Sequence, residues 1–149
     1  GFSTSGVVIG YALYMFVAML FAYPAGKISD RLHPKQVYLI GLTFFAAAYI
    51  ILGITTNHAI ALVALALYGL FPALTDGVGK AWIGRLSTPE NRGYAQGSFQ
   101  ARMNFAVLAA GIWGGAIWSS GSFEFALVLA GVGALIGAFV ISQYRTDAA

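Results

Sequence analysis

The sequence predicts an all-α fold, a polytopic bundle of transmembrane helices, and three observations carry that prediction. Hydrophobic residues make up 59% of the 149 and charged residues only 9%, with a mean hydropathy of +0.78, whereas soluble domains carry about 25% charge. The charge-free runs have the length that a helix needs to cross a hydrocarbon core about 30 Å thick, roughly 20 residues. All eight Lys and Arg residues fall on one side of the bilayer once those runs are read as spans, in alternate links, in the first part of one span and in the tail, the pattern that membrane insertion imposes.

Each span follows from where charge and breakers interrupt the apolar runs. Residues 1–26 carry no charge, and 6–25 make the first span. The polar stretch 27–35 ends it. Residues 36–75 are again free of formal charge, long enough to cross twice, and the break is Thr55-Thr56-Asn57-His58. That gives spans at 36–54 and 59–78. A polar segment, 80–92, contains the breaker cluster Ser87-Thr88-Pro89, and the fourth span runs over 93–118. Ser119-Ser120-Gly121-Ser122 makes a turn before the fifth, 124–142. The runs are apolar on both parities, which argues against the period-two alternation of barrel strands. The run from Gly6 lacks a basic leader and is too long for a signal segment. With Gly1 in place of Met, the sequence reads as a piece whose own start lies upstream.

Orientation follows from the cations. Lys27, Arg31 and Lys35 lie between spans one and two; Lys80, Arg85, Arg92 and Arg102 lie around the link between three and four; Arg145 lies in the tail. The links 55–58 and 119–122 have none. The positive-inside rule therefore puts the first set of links and the C-terminus in the cytoplasm and the second set outside, in a multi-pass protein of the cell (inner) membrane.

The inventory also excludes. The formal charge of +3 would suit nucleic acid only if the cations formed a patch, and topology accounts for them instead. With no cysteine, thiol catalysis, disulfides and thiolate metal sites are ruled out. His33 and His58 fall in opposite links and cannot share a metal. No phosphate-binding loop, nucleophile elbow or paired carboxylates occur. The sequence calls for no cofactor and no enzyme activity.

The first basic link reads Gly26-Lys27-Ile28-Ser29-Asp30-Arg31-Leu32-His33-Pro34-Lys35. It resembles the loop signature of the major facilitator superfamily, G-x-L-a-D-R-x-G-R-K/R, with Gly26, Asp30, Arg31 and Lys35 matching and His33 and Pro34 departing from it. Pro89-Glu90-Asn91-Arg92-Gly93 followed by Ala95-Gln96-Gly97 is similar to that family's P-E-x-R-G-x-A-x-G entry to its eleventh helix. The resemblance implies helices eight to twelve of a twelve-helix transporter, with the N-terminal half of the same protein as the absent partner. It also implies that Gly26, Asp30, Arg31 and Lys35 belong to a loop that latches and gates the cytoplasmic side. Gly26 would allow a close approach at the helix end, Pro24 would stiffen the exit, and Asp30 would meet a helix N-terminus or a neighbouring Arg. The plainer reading of this link is a positive-inside loop and nothing more.

Span four carries Gln96, Ser98, Gln100, Arg102 and Asn104. Polar groups are costly in lipid, so this part should face protein or a water-filled cavity. At 100° per residue Gln96, Gln100 and Asn104 share an arc of about 80° that continues through Val107, Gly111, Gly114 and Trp118. The resemblance places helices eight, ten and eleven on the central pathway, which makes Tyr14, Tyr68, Gln96, Gln100, Arg102 and Asn104 the candidate substrate-pathway residues. Tyr11 and Trp113 are further aromatic candidates. Interhelical hydrogen bonding and aromatic packing are the bland alternatives for all of them. Arg102 is expected either to pair with Asp76 or to reach the headgroups. Small-residue pairs, Ala110 with Gly114, Gly111 with Gly115 and Gly133 with Gly137, are expected to mark close helix contacts. Together these point to a secondary transporter moving a small solute through the bilayer by alternating access. A membrane scaffold or receptor and a multi-pass enzyme are the rival classes.

Overall fold

A computed structural model describes residues 4–143, which form five helices and no strand. They are α1 (Thr4–Arg31), α2 (Pro34–Ile54), α3 (His58–Leu86), α4 (Arg92–Ser119) and α5 (Phe123–Gln143). Every predicted span lies inside one helix, but α1 and α3 run well past the first charges. Helices are ended by backbone breakers, whereas spans are ended by charge. Pro34 disfavours helix at His33 before it, so the stretch 27–31 stays in α1 and only Leu32 and His33 link it to α2. Pro89 likewise lets α3 continue to Leu86.

The links are closed by local hydrogen bonds. His33 caps α2 with Pro34 in the first turn, and its Nδ1 accepts from the Lys35 N–H at 3.2 Å. Asn57 caps α3: its Oδ1 accepts from the N–H groups of Ala59 at 2.8 Å and Ile60 at 3.4 Å, satisfying donors that a helix start leaves open. Gly121, with φ of +83°, takes the left-handed turn position between α4 and α5 that favours glycine.

Four helices, α1, α2, α3 and α5, are long and apolar enough to cross a membrane. The fourth has the length, about 42 Å for its 28 residues, but its polar first half dilutes its apolarity. At about 44 Å, the 29 residues of α3 overreach a 30 Å core and project at their ends.

Helix α3 packs along α1 and α2, and α2 packs along α5, while α4 meets α3 and α5 lightly and buries none of its residues. The core is built from small side chains. Ala25, Val37, Leu74 and Val78 form its centre with Phe44 and Leu70 against it, and Val37 is the largest side chain fully buried. Large apolar residues such as Val8, Met19 and Phe139 point outward, as they should when the solvent is lipid. Close backbone approach holds such a bundle together. A Cβ on Gly69 would lie 2.6 Å from the Tyr14 carbonyl oxygen, and one on Gly53 would lie 2.9 Å from that of Glu124. The expected pairs are not the ones used. Gly111, Gly114, Gly115, Gly133 and Gly137 have open space where a Cβ would be, because small residues permit contact without saying which helix arrives. Gly41, Gly53, Gly69 and Gly131 make the crossings instead.

Candidate functional site

Two regions bring candidate residues together. The first lies at the end of the bundle where α1 and α3 finish, hereafter the basic end. Asp30 and Arg31 stand in the last turns of α1 and Lys35 in the first turn of α2, so they occupy helix termini and not a loop. Asp30 finds the neighbouring Arg the sequence led us to expect: Arg85 Nη2 donates to its Oδ1 at 3.5 Å, tying α1 to α3. Lys35 Nζ donates to the Ser142 carbonyl at 2.9 Å, in the last turn of α5, where a cation also complements the helix dipole. Lys27 lies 4.7 Å over the Tyr23 ring. Gly26 departs from expectation: a Cβ there would meet nothing within 4 Å, so no close approach explains it within this chain. Pro24 lies within α1. In the adjoining link, the exposed Glu90 carboxylate is held below the usual carboxylate range by its own backbone N–H and by the Thr88 hydroxyl.

Also at the basic end, Gln96 Nε2 donates to the Lys80 carbonyl at 2.6 Å, docking the start of α4 onto α3. Beside it opens an apolar cavity of about 270 Å³ lined by Lys35, Tyr38, Trp82, Ile83, Phe99 and Ile141, with Gly79 at its wall.

The second region is an aromatic cluster between α1, α2 and α3. Tyr14 and Tyr68 stack with centroids 5.0 Å apart. Tyr11 joins Tyr14 at 5.8 Å, Tyr49 lies 5.5 Å from Tyr68 and is hydrogen-bonded to it, and Phe45 and Phe71 complete the group at 4.9 Å from each other. The rings of Tyr14, Phe45, Tyr49, Tyr68 and Phe71 are half-buried, and Tyr11 is exposed. Trp113 stands apart, on the exposed face of α4.

The polar stripe of α4 behaves as one face. Gln96 reaches α3, and one turn on, Gln100 Nε2 donates to Asn104 Oδ1 at 3.1 Å. Arg102 is exposed on another face. Of the two expectations for Arg102, the pair with Asp76 is not formed among the described residues, where Asp30 pairs with Arg85; Arg102 lies about 120° around α4 from Gln96, the side chain that meets α3. Asp76 is exposed on α3. In the sequence Asp76 is marked by the rarity of a carboxylate inside an apolar helix.

The sequence profile described as Major Facilitator Superfamily matches residues 1–148. The chain belongs to this superfamily. An uncharacterized MFS-type transporter of Mycobacterium tuberculosis is 32% identical over 144 residues, covering 89% of this chain and 25% of the relative. One of Methanocaldococcus jannaschii is 28% identical, covering 87% of the chain and 33% of that protein. The tetracenomycin C resistance and export protein of Streptomyces glaucescens is 30% identical over 74% of this chain and 18% of its own length. The major facilitator chain thus spans a quarter to a third of the first two relatives. No solved structure matches it. It is a membrane-transporter sequence, all-α and multi-pass, and its two candidate regions are read in that light.

Proposed function

We propose that this chain is part of one half of a secondary transporter that moves a small solute by alternating access, working with an N-terminal half of the same protein. The observation that carries this reading is the polar stripe Gln96, Gln100 and Asn104 on α4, in which Gln96 bonds α3 while Gln100 and Asn104 bond each other on an exposed part of the helix. A polar face on a membrane helix must meet protein or water, and a solute pathway supplies the water. Tyr14 and Tyr68 form the aromatic wall of that pathway and Arg102 stands at its edge. Gly26, Asp30, Arg31 and Lys35 belong to the gate, at an end that the positive-inside rule assigns to the cytoplasm of the cell (inner) membrane, with the C-terminus on the same side. No covalent step is assigned to any residue. The export named for the Streptomyces relative is consistent with solute movement. The test is flux: the full-length protein, reconstituted in proteoliposomes, should move solute across a sealed bilayer, and protein-free liposomes should not. Solute retention equal to the protein-free control across a panel of candidate solutes would refute it.

A further inference from the structure

We propose that His33 is a proton-operated cap on α2, which makes the basic end of the bundle respond to the acidity of the solution it faces. That this solution is the cytoplasm, and that turnover depends on this end, rests on the transporter reading above; the cap itself rests on local geometry.

His33 and Pro34 are the two positions at which the first basic link departs from the superfamily signature, and Leu32 and His33 are all that separates α1 from α2. The His33 backbone is extended, with φ of −62° and ψ of 131°, as a following proline favours. From there its Nδ1 accepts from the Lys35 N–H at 3.2 Å, and its carbonyl accepts from the N–H groups of Gln36 at 2.8 Å and Val37 at 3.4 Å. One residue thus meets every donor of the first turn, since Pro34 has none to offer. The Nδ1 contact requires a bare lone pair, so the ring hydrogen sits on Nε2. An imidazolium carries hydrogen on both nitrogens and accepts nothing. Protonation therefore abolishes the side-chain cap, while the two backbone bonds and the buried Pro34 and Val37 keep the helix in place. One contact is switched without unfolding α2.

The surroundings act in the same direction. Lys27 and Arg31 on α1, Lys35 on α2, Lys80 and Arg85 on α3 and Arg92 at the start of α4 stand at this end, against Asp30, which is paired with Arg85, and Glu90 in the next link. The N-terminus of α2 adds a partial positive charge of its own, and the described part of α5 brings the Ser142 carbonyl, already bonded to Lys35. A charged ring is unwelcome there. Trp82 is a favourable neighbour, but its ring lies 6.1 Å from the imidazole at 84° to it, and cation–π attraction at an exposed site is weak. His33 is exposed, so a proton reaches it straight from solution. Lys35 is both the residue whose N–H the cap holds and the one whose ammonium ties α2 to α5. Protonation frees that N–H and sets a second cation two residues from the ammonium. The sign follows from the acceptor: the neutral ring caps and the charged ring does not, so the contact is complete above the range in which histidines titrate and is lost as pH falls through it.

Three full-length proteins test this: the wild type, His33→Asn, whose side chain caps without titrating, and His33→Ala, which cannot cap. Hydrogen exchange at the Lys35 N–H is followed by NMR in detergent at about pH 7.5 and about pH 5.5, on either side of the ordinary histidine range. At the higher pH the wild type and His33→Asn should exchange alike, and His33→Ala about threefold to tenfold faster. At the lower pH the wild type should join His33→Ala while His33→Asn keeps its protection. Turnover in proteoliposomes should follow, with the ratio of wild type to His33→Asn near one at the higher pH and about threefold lower at the other. A wild type that keeps pace with His33→Asn at both pH values, in exchange or in turnover, overturns the switch. So does a carbon-13-labelled wild-type ring whose hydrogen sits on Nδ1 at the higher pH, a measurement that needs no variant to fold. If exchange follows the expected pattern while no solute is moved at either pH, the transporter reading falls and the cap stands.

Discussion

The Lys35 ammonium, in the first turn of α2, donates to the Ser142 carbonyl 2.9 Å away in the last turn of α5. One side chain thus ties two neighbouring helices together at the basic end. Charged hydrogen bonds of this kind contribute about 1.5–3 kcal/mol when sheltered, and helix-terminal cations about 0.3–1 kcal/mol when exposed. Lys35 is half-buried, so Lys35→Gln in the full-length protein should cost about 1 kcal/mol. Thermal melting in detergent reads it, and Lys35→Arg should recover most of the loss. An unchanged melting temperature in the Gln variant would deny the contact any structural weight.

The glycine crossings predict a sharper effect. A Cβ on Gly69 would meet the Tyr14 carbonyl oxygen at 2.6 Å, and one on Gly53 would lie between Val128 Cγ2 at 2.7 Å and the Glu124 carbonyl oxygen at 2.9 Å. Backbone oxygen cannot rotate away as a side chain does, so Gly69→Ala and Gly53→Ala should each cost about 1–3 kcal/mol by forcing the helices apart. Gly137→Ala, into open space, should be neutral or slightly stabilising through helix propensity. Denaturation of the three variants side by side checks the contrast, which fails if Gly137→Ala costs as much as Gly69→Ala.

These glycines also show what the sequence could reveal and what it could not. Charge and length mark five candidate spans, and each lies within a helix, four of them long and apolar enough to cross a membrane, because the cost of burying charge in hydrocarbon is a property of local composition. Which small residues touch depends on which helix arrives. A Gly131 that meets Ala46 and a Gly133 that meets nothing look alike in sequence. Helix ends were misplaced at 27–31 because charge ends a span without ending a helix. Tyr14 and Tyr68 were legible only as separate aromatics; their stacking needed α1 and α3 to run side by side.

Topology can be tested independently of stability. The chain has no cysteine, so single cysteines at Thr56 and Glu90, introduced into a full-length protein otherwise free of cysteine, report the two faces of the membrane. Thr56 lies in the link between α2 and α3, and Glu90 between α3 and α4. An impermeant maleimide added to intact cells should label Thr56→Cys and spare Glu90→Cys, as the positive-inside rule requires. Labelling of both from outside would break the assignment of α3 as a spanning helix.

Glu90 carries a prediction about pH. Its carboxylate is held below the usual range by its own N–H and the Thr88 hydroxyl. A depressed carboxyl pKa contributes stability above the unfolded-state value, and that contribution is lost as pH falls through the folded-state value. Thr88→Val removes one of the two donors, so the Glu90 titration should move upward toward the ordinary range. Carbon-13 NMR of the labelled carboxyl group would follow it, and an unmoved midpoint would mean that the hydroxyl makes no contribution.

The Asp30–Arg85 pair separates gating from stability. Both side chains are largely exposed, 75% for Asp30 and 54% for Arg85, and pairs of this kind contribute about 0.2–1 kcal/mol. If the pair only held the bundle together, breaking it would scarcely matter. If it secures one conformation of an alternating transporter, its loss shifts the balance between two states, and a shift of even 1 kcal/mol changes their ratio by about fivefold. Asp30→Asn and Arg85→Gln should therefore slow transport severalfold with little change in melting temperature or in solute affinity, because both residues lie at helix ends away from the aromatic cluster. The exchanged pair, Asp30→Arg with Arg85→Asp, should restore part of the rate by reforming the contact with its charges reversed. Flux and binding measured on the same preparations decide the matter: a loss of affinity with turnover unchanged would move Asp30 from the gate to the binding site.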